Sequence, residues 1–463
     1  MSNIKTHNHN DNMLPVIFAL AWPTMLEQLM QTAVQYIDTA MVGSLGTQAT
    51  AAVGSTTTIN WLVNSTIGAL SVGFLTFIAR AFGANDKKQA ARVSSQAVLA
   101  VLVSGIFFMI VTLSLSNLIP QWMQVAPSIQ PLASLYFFII YLPMLPRAAS
   151  IIFGTTLRAA GDTKTPMRVG ICVNVINIVL NFLLIFPART LQIGIVALPL
   201  PGANLGVIGA AVASAIAFTF GGIYMTVALW RHPIISPKGQ KIKPDMQILK
   251  PCLKVTVPNM LQRFGTSLGY VAFASMVNSL GDISTAAHTI ANTVESAFYI
   301  PGYGMQTAAA TLAGNALGAY DNRKMKNLTR VSIQIEVLLM ILSGSLLFLF
   351  APNMMTLFTK DPAVITLGAT VLRMVAVSEP FYGVSIIIEG IMQGVGETVT
   401  PFKFNILGMW GIRIVGTFIC TQMLGLNLVS AWACMITHNL LLFLLFVIYY
   451  KKGSWNPMNK KTA

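Results

Sequence analysis

Charge is what this sequence has least of. Of 463 residues, 9% are charged and 55% hydrophobic, and only 14 are Asp or Glu. Soluble domains carry about 25% charged residues, so the composition excludes an ordinary water-soluble fold. Cysteine is nearly as scarce. Cys172, Cys252, Cys420 and Cys434 lie in or beside apolar stretches without CxxC spacing. They are expected to be reduced packing residues, not disulfides or metal ligands. The chain lacks an HExxH, a paired-aspartate metal motif and a Gly-rich phosphate loop facing an apolar segment, which leaves an intramembrane enzyme without its chemistry. It lacks a filter-like loop, which argues against a channel. The polar start NIKTHNHNDN leads into a full-length apolar segment, so a cleavable signal peptide is not expected.

Long apolar runs are what it has. Twelve segments cover 14–42, 47–78, 90–117, 128–156, 167–186, 204–230, 247–278, 284–314, 324–351, 362–393, 402–423 and 427–450. A bilayer span needs ~20 residues, so the expected fold is an all-α polytopic membrane protein with 12 transmembrane helices. Of the 29 Lys and Arg, 23 fall on the tails and on the connections following even-numbered segments. The opposite connections hold only Arg189 and Lys360. The positive-inside rule then places both termini in the cytoplasm, in a plasma (inner) membrane. That placement also explains the net charge of +15 without a nucleic-acid partner. Arg147, Arg263, Arg373 and Arg413 fall inside segments and need partners.

The chain repeats itself at a shift of 235. MVGSLG at 41–46 maps onto MVNSLG at 276–281, Gly83-Ala84 and Asp86 onto Gly318-Ala319 and Asp321, and Gly161-Asp162-Thr163 onto Gly396-Glu397-Thr398. One register held over so long a stretch marks a duplication. Each half has an even number of spans, so the expected lobes are related by a pseudo-two-fold axis along the membrane normal. The organisation read from the sequence is a tail 1–13, an N-lobe 14–230, a linker 231–247, a C-lobe 248–450 and a tail 451–463. A substrate cavity is expected between the lobes.

Within the first segment Glu27, Gln31, Gln35 and Asp38 recur at helical spacing on one face. A carboxylate at membrane depth costs ~2.5 kcal/mol or more, so Asp38 is a functional candidate. Segment 5 places Asn174, Asn177 and Asn181 on one face, and segment 2 carries Asn60 and Asn64. At the repeat shift, Asp38 falls on Phe273, Asn177 on Ile412 and Asn181 on Gly416. The acid-and-amide set is therefore an N-half feature. One carboxylate with amide oxygens suits a hard cation, either H⁺ or Na⁺ at Asp38, and no bound cofactor or further metal is expected. Glu295, Glu379 and Glu389 are candidates either for pairing with the stray arginines or for touching substrate; Glu336 has no neighbouring signal. Gln31 and Gln35 are assigned to cavity lining with Asn60 and Asn64, and Tyr36, Trp61, Phe153 and Tyr299 to contact with a flat cation.

These residues resemble the multidrug and toxic compound extrusion family, abbreviated MATE. The resemblance covers about 14–450 and rests on the first segment from Pro23 to YIDTAMVGSLG, LRAAGDTKTP at 157–166, NIVLNFLLIF at 177–186 and GVIGAAVAS at 206–214. It implies two six-helix lobes and export driven by an H⁺ or Na⁺ gradient. The family's N-lobe aspartate corresponds to Asp38 and its bending first-helix proline to Pro23. Its site residues in segments 5 and 6 correspond to Asn177, Asn181 and Ser214. Many members have Asp where this chain has Asn181. The NorM-like branch has C-lobe acids where this chain has Gly265 and about Tyr382. Asp38 is therefore expected to carry the coupling nearly alone, as in DinF-like members.

The function expected is a cation-coupled multidrug antiporter, monomeric in the lipid bilayer, exporting small amphipathic, mostly cationic compounds by alternating access. The alternative is a flippase for a lipid-linked saccharide precursor, an anionic substrate for which only Arg147 and Arg263 stand ready. Topology is the first check. A cytosol-active reporter is expected to work when fused after Ala463 and to fail when placed in the 187–203 connection; the opposite pattern would invert the orientation.

Overall fold

The structure, a computed structural model, describes residues 13–123, 125–193 and 196–459. Most of the predicted N-terminal tail and the last four residues of the C-terminal tail lie outside the described residues. Fifteen α-helices run in the order α1 (Leu14–Gly43), α2 (Thr47–Gly83), α3 (Lys87–Ser114), α4 (Ile119–Trp122), α5 (Gln130–Tyr141), α6 (Met144–Ala159), α7 (Lys164–Leu184), α8 (Gly206–Arg231), α9 (Met246–Asn278), α10 (Asp282–Gly318), α11 (Asn322–Thr356), α12 (Pro362–Val395), α13 (Val399–Ile406), α14 (Val415–Phe418) and α15 (Leu428–Lys452). Between α7 and α8 lies an antiparallel hairpin, β1 (Pro187–Ile193) and β2 (Val196–Ala203).

Among the described residues, eight helical stretches are long and apolar enough to cross a bilayer, and α5 with α6 makes a ninth. The remaining long helices, α1, α9 and α10, fall short of that apolarity. They are the ones carrying Glu27 and Asp38, Asn259 and Arg263, and His288 and Glu295. Together these give the twelve spans of the expected fold. Two spans are irregular. The fourth breaks by 50° between α5 and α6, where Pro143 offers no N–H to continue the ladder. The eleventh passes from α13 through π-helical turns at Leu407–Ile414 and Ile419–Met423.

The duplication is visible in local structure. Asp86 caps α3 by accepting from the Gln89 N–H at 2.9 Å, and its repeat partner Asp321 caps α11 by accepting from the Lys324 N–H at 2.8 Å. Asp162 accepts from the Thr165 N–H and Glu397 from the Thr400 N–H, both at 3.0 Å. Gly161 and Gly396 turn these loops at φ +86° and +87°, a region glycine enters without strain.

The contacts group into two compact units. One comprises Leu26–Ile78 and Asp86–Ser267; the other comprises the chain up to Met25, Ala79–Asn85 and Leu268 onward. The contact grouping and the lobes expected from sequence assign 14–25, 79–85 and 248–267 to different halves. In the second unit Ile17, Leu20 and Ala21 of α1 join a core with Met305, Ala309 and Leu312 of α10. Gly304 lets α10 approach α1 directly: a Cβ there would sit 2.7 Å from the Met25 nitrogen. The buried Thr24 hydroxyl lies 2.8 Å from the Ala21 carbonyl and 3.0 Å from that of Gly304, and donates to one of them. The segment from Ile17 through Met25, with Pro23 inside it, is thus held, and the helix runs on unbroken through the proline.

In the first unit Glu27 is buried and takes Arg158 of α6, whose Nη2 donates to both carboxylate oxygens at 2.7 and 2.8 Å. Gly170 of α7 makes room for the Glu27 side chain. The linker is fastened back onto α3: Gln96 donates to the Lys243 carbonyl and accepts from the Asp245 N–H, and Arg92 reaches Asp245 at 2.7 Å. That surface pair contributes little; the buried Glu27–Arg158 pair is another matter. Glu27→Ala strands a guanidinium and is expected to cost about 3 kcal/mol or more of stability. Joint replacement of Glu27 by Leu and Arg158 by Met is expected to recover most of it, read by thermal unfolding of the detergent-solubilised chain.

Candidate functional site

The helix α7 buries a face made of amides. Beyond its first turns, the buried residues are Asn174, Asn177 and Asn181, the i, i+3, i+7 set that helical spacing places together. An apolar helix facing lipid has no use for such a face, and here it meets acceptors and donors on two other helices. Asn181 Nδ2 donates to Asp38 Oδ1 of α1 at 2.7 Å. Asn181 and Asn177 lie 3.1 Å apart, and Asn177 meets Ser214 Oγ of α8 at 3.1 Å. Asp38, Asn177, Asn181 and Ser214 thus form one network within a single unit, on three helices.

The Asn177 amide can present either end to Asp38. Its facing atom lies 2.9 Å from Oδ1 and 3.1 Å from Oδ2. As nitrogen it donates to an ionised carboxylate, and its oxygen then accepts from Ser214 Oγ. As oxygen it suits a protonated Asp38, whose O–H donates to it, or a cation between the two groups. Which end faces Asp38 follows from the charge on Asp38. Asn181 Oδ1 is buried and meets no donor among the described residues, so carboxylate and amide oxygens are both available to a hard cation.

The other residues singled out in the sequence scatter. Gln31 and Gln35 are exposed on α1, as are Tyr36 at 39% and Trp61 at 50%. Asn60 donates to Thr56 of its own helix at 3.5 Å, and Asn64 is half-buried. Phe153 requires a correction: it is enclosed, 2% exposed, with its ring edge-on to Trp230, and so belongs to the core. Arg263 is half-buried on α9. Glu295 and Tyr299 belong to the other unit, where Glu295 is buried and Tyr299 packs edge-on against Tyr303 and Tyr382. Pro23 sits within α1, 15 positions before Asp38.

The stray arginines find rings. Arg147 lies 4.6 Å from the Phe218 ring centre and 5.4 Å from that of Tyr141. Arg413 lies 4.3 Å from Phe273 and 4.8 Å from Tyr270. Arg373 donates to the Phe348 carbonyl at 3.3 Å. Glu389 accepts from Gln393 and Asn405 at 3.0 and 3.2 Å. The repeat thus sets a contrast within its own register: where one half has Asp38, the other has Phe273 under a guanidinium. Sequence reasoning missed Glu336, fully buried on α11 with Gly302 and Gly383 packed against its carboxyl. No spacing pattern marks it; the signal lies in glycines of two distant helices.

Comparison with known proteins agrees with the duplicated fold. The MatE family model matches twice, at residues 23–183 and 258–419, beginning at the same offset as the internal repeat. The probable multidrug resistance protein NorM of Thermotoga maritima is 26% identical over 95% of this chain and 92% of its own length. The probable multidrug resistance protein YpnP of Bacillus subtilis is 26% identical over 96% and 97%. A crystal structure of MATE in the bent conformation shares the fold with a TM-score of 0.86 at 22% identity, over 94% of both chains. With two family domains in tandem and relatives matching nearly end to end, the chain belongs to the MatE family of multi-pass membrane transporters.

Proposed function

We propose that this protein is a cation-coupled multidrug antiporter that exports amphipathic, mostly cationic compounds by alternating access, and that Asp38 is the group for which cation and substrate compete. The observation that carries the reading is the network of Asp38, Asn181, Asn177 and Ser214 across α1, α7 and α8. Relatives described as probable multidrug resistance proteins support the substrate class.

The chemistry follows from one charge with two claimants. Ionised Asp38 attracts a cationic substrate and draws amide nitrogens from Asn181 and Asn177. Arrival of H⁺ or Na⁺ cancels that attraction and favours the Asn177 orientation that turns its oxygen to Asp38. Binding of one cation therefore weakens binding of the other, and the linkage is reciprocal. The rearranged hydrogen bonds pull on α1 beyond Pro23, the residue whose missing N–H softens the helix, while Ile17, Leu20 and Ala21 hold the part before it in a packed core. The flippase alternative needs guanidinium groups free for phosphate, whereas Arg147 is stacked on two aromatic rings.

In cells expressing the protein, efflux of a cationic dye is expected to fall at least about tenfold in Asp38→Asn, equivalent to ~1.4 kcal/mol, with surface expression unchanged. Asn181→Ala, which removes the 2.7 Å donor, is expected to weaken efflux less. Collapse of the proton gradient at constant Na⁺, or withdrawal of Na⁺ at constant pH, identifies the coupling ion by which of them stops efflux. Efflux undiminished in Asp38→Asn would sink the proposal.

A further inference from the structure

Two of the four cysteines meet. Cys420 stands in the π-helical turn Ile419–Met423 and Cys434 on α15, with their sulfurs 3.9 Å apart. Both are half-buried, whereas Cys252 is 2% exposed and Cys172 stands alone on the exposed face of α7. Two neighbouring features give the sulfurs freedom to close. Gly416, one turn before Cys420, offers no side chain toward Cys434: a Cβ there would lie 3.1 Å from its sulfur. The π turn adds a residue to the helical circuit, a loosening of the ladder that often marks a working segment. It is followed at once by a short connection turned by Gly425 at φ +65°.

We propose that Cys420 and Cys434 form a peroxide-sensitive thiol pair that closes into a reversible disulfide fastening the eleventh span to the twelfth. The oxidant is hydrogen peroxide, a small neutral molecule that reaches half-buried groups in a membrane protein. One sulfur, as thiolate, attacks a peroxide oxygen; the O–O bond breaks, leaving a sulfenic acid and, after protonation, one water. The second sulfur then attacks the sulfenic sulfur. The S–S bond forms, the S–O bond breaks, and the departing hydroxide takes the second thiol's proton as another water. Two thiols and one peroxide thus give one disulfide and two waters, with two electrons passing from sulfur to oxygen. The gap to close runs from 3.9 Å to a bond of about 2.05 Å.

The test uses the full-length chain in detergent, treated with hydrogen peroxide, alkylated and digested without reductant. The expected result is a linked pair of peptides carrying Cys420 and Cys434, two hydrogens lighter than their sum and separated by dithiothreitol. Alkylation at both positions should fall at least tenfold while Cys172 stays alkylated. In Cys420→Ser no linked pair forms, and Cys434 collects sulfenic or sulfinic oxygen instead. Undiminished alkylation of both thiols after peroxide would overturn the proposal. So would oxidation of each sulfur to sulfinic acid without linkage in the unaltered chain.

Discussion

A carboxylate set inside an apolar helix layer must be neutralised, hydrogen-bonded or paired, because leaving it bare costs several kcal/mol. Asp38 is held by amides. Asn181 donates to it at 2.7 Å, and Asn177 and Ser214 extend the contact across α7 and α8. Much else in its unit is consistent with that need. The buried face of α7 consists of asparagines, and α1 gives up the apolarity of an ordinary span to carry an acid. Amides stabilise a carboxylate without cancelling its charge, so the site stays responsive to a proton, a metal cation or an organic cation. An arginine partner would have ended that responsiveness.

Charges without such a task are disposed of differently. Glu27, on the same helix, is bound by Arg158 through both oxygens and so becomes part of the scaffold. Arg147 and Arg413 lie over aromatic rings, whose faces attract a cation electrostatically. Duplication supplied the same helices twice and the two copies diverged in charge. At the position of Asp38 the second copy has Phe273, with Arg413 stacked on it. At this one repeat position the first half carries an acid and the second a ring under a guanidinium, a divergence consistent with the role proposed for Asp38.

Much of this was legible in the sequence, for physical reasons that can be named. Hydropathy marks the spans because lipid accepts only satisfied backbone. The repeat shift pairs Asp86 with Asp321, and in the structure each accepts from the backbone N–H three residues on, at the start of its helix. Helical spacing put Asn174, Asn177 and Asn181 on one face, and they are buried together. What escaped depends on contacts between distant segments. The acid partner of Arg158, the rings beside Arg147 and Arg413, and the glycines around Glu336 have no fixed spacing in the chain. Phe153 looked like a ligand contact because an aromatic in an apolar run does not reveal which way it faces. The break at Pro143 was hidden because one apolar run spans both of its arms. The hairpin at 187–203 lay in what the sequence offered only as a connection.

The most direct measurement is counter-movement of the cation itself. In liposomes containing the purified protein and a pH- or Na⁺-reporting dye, a gradient of cationic substrate should drive H⁺ or Na⁺ in the opposite direction. Asp38→Asn should abolish that movement while a residual, uncoupled leak of substrate remains measurable. Substrate-driven cation flow that persists in Asp38→Asn would contradict the assignment of coupling to this carboxylate.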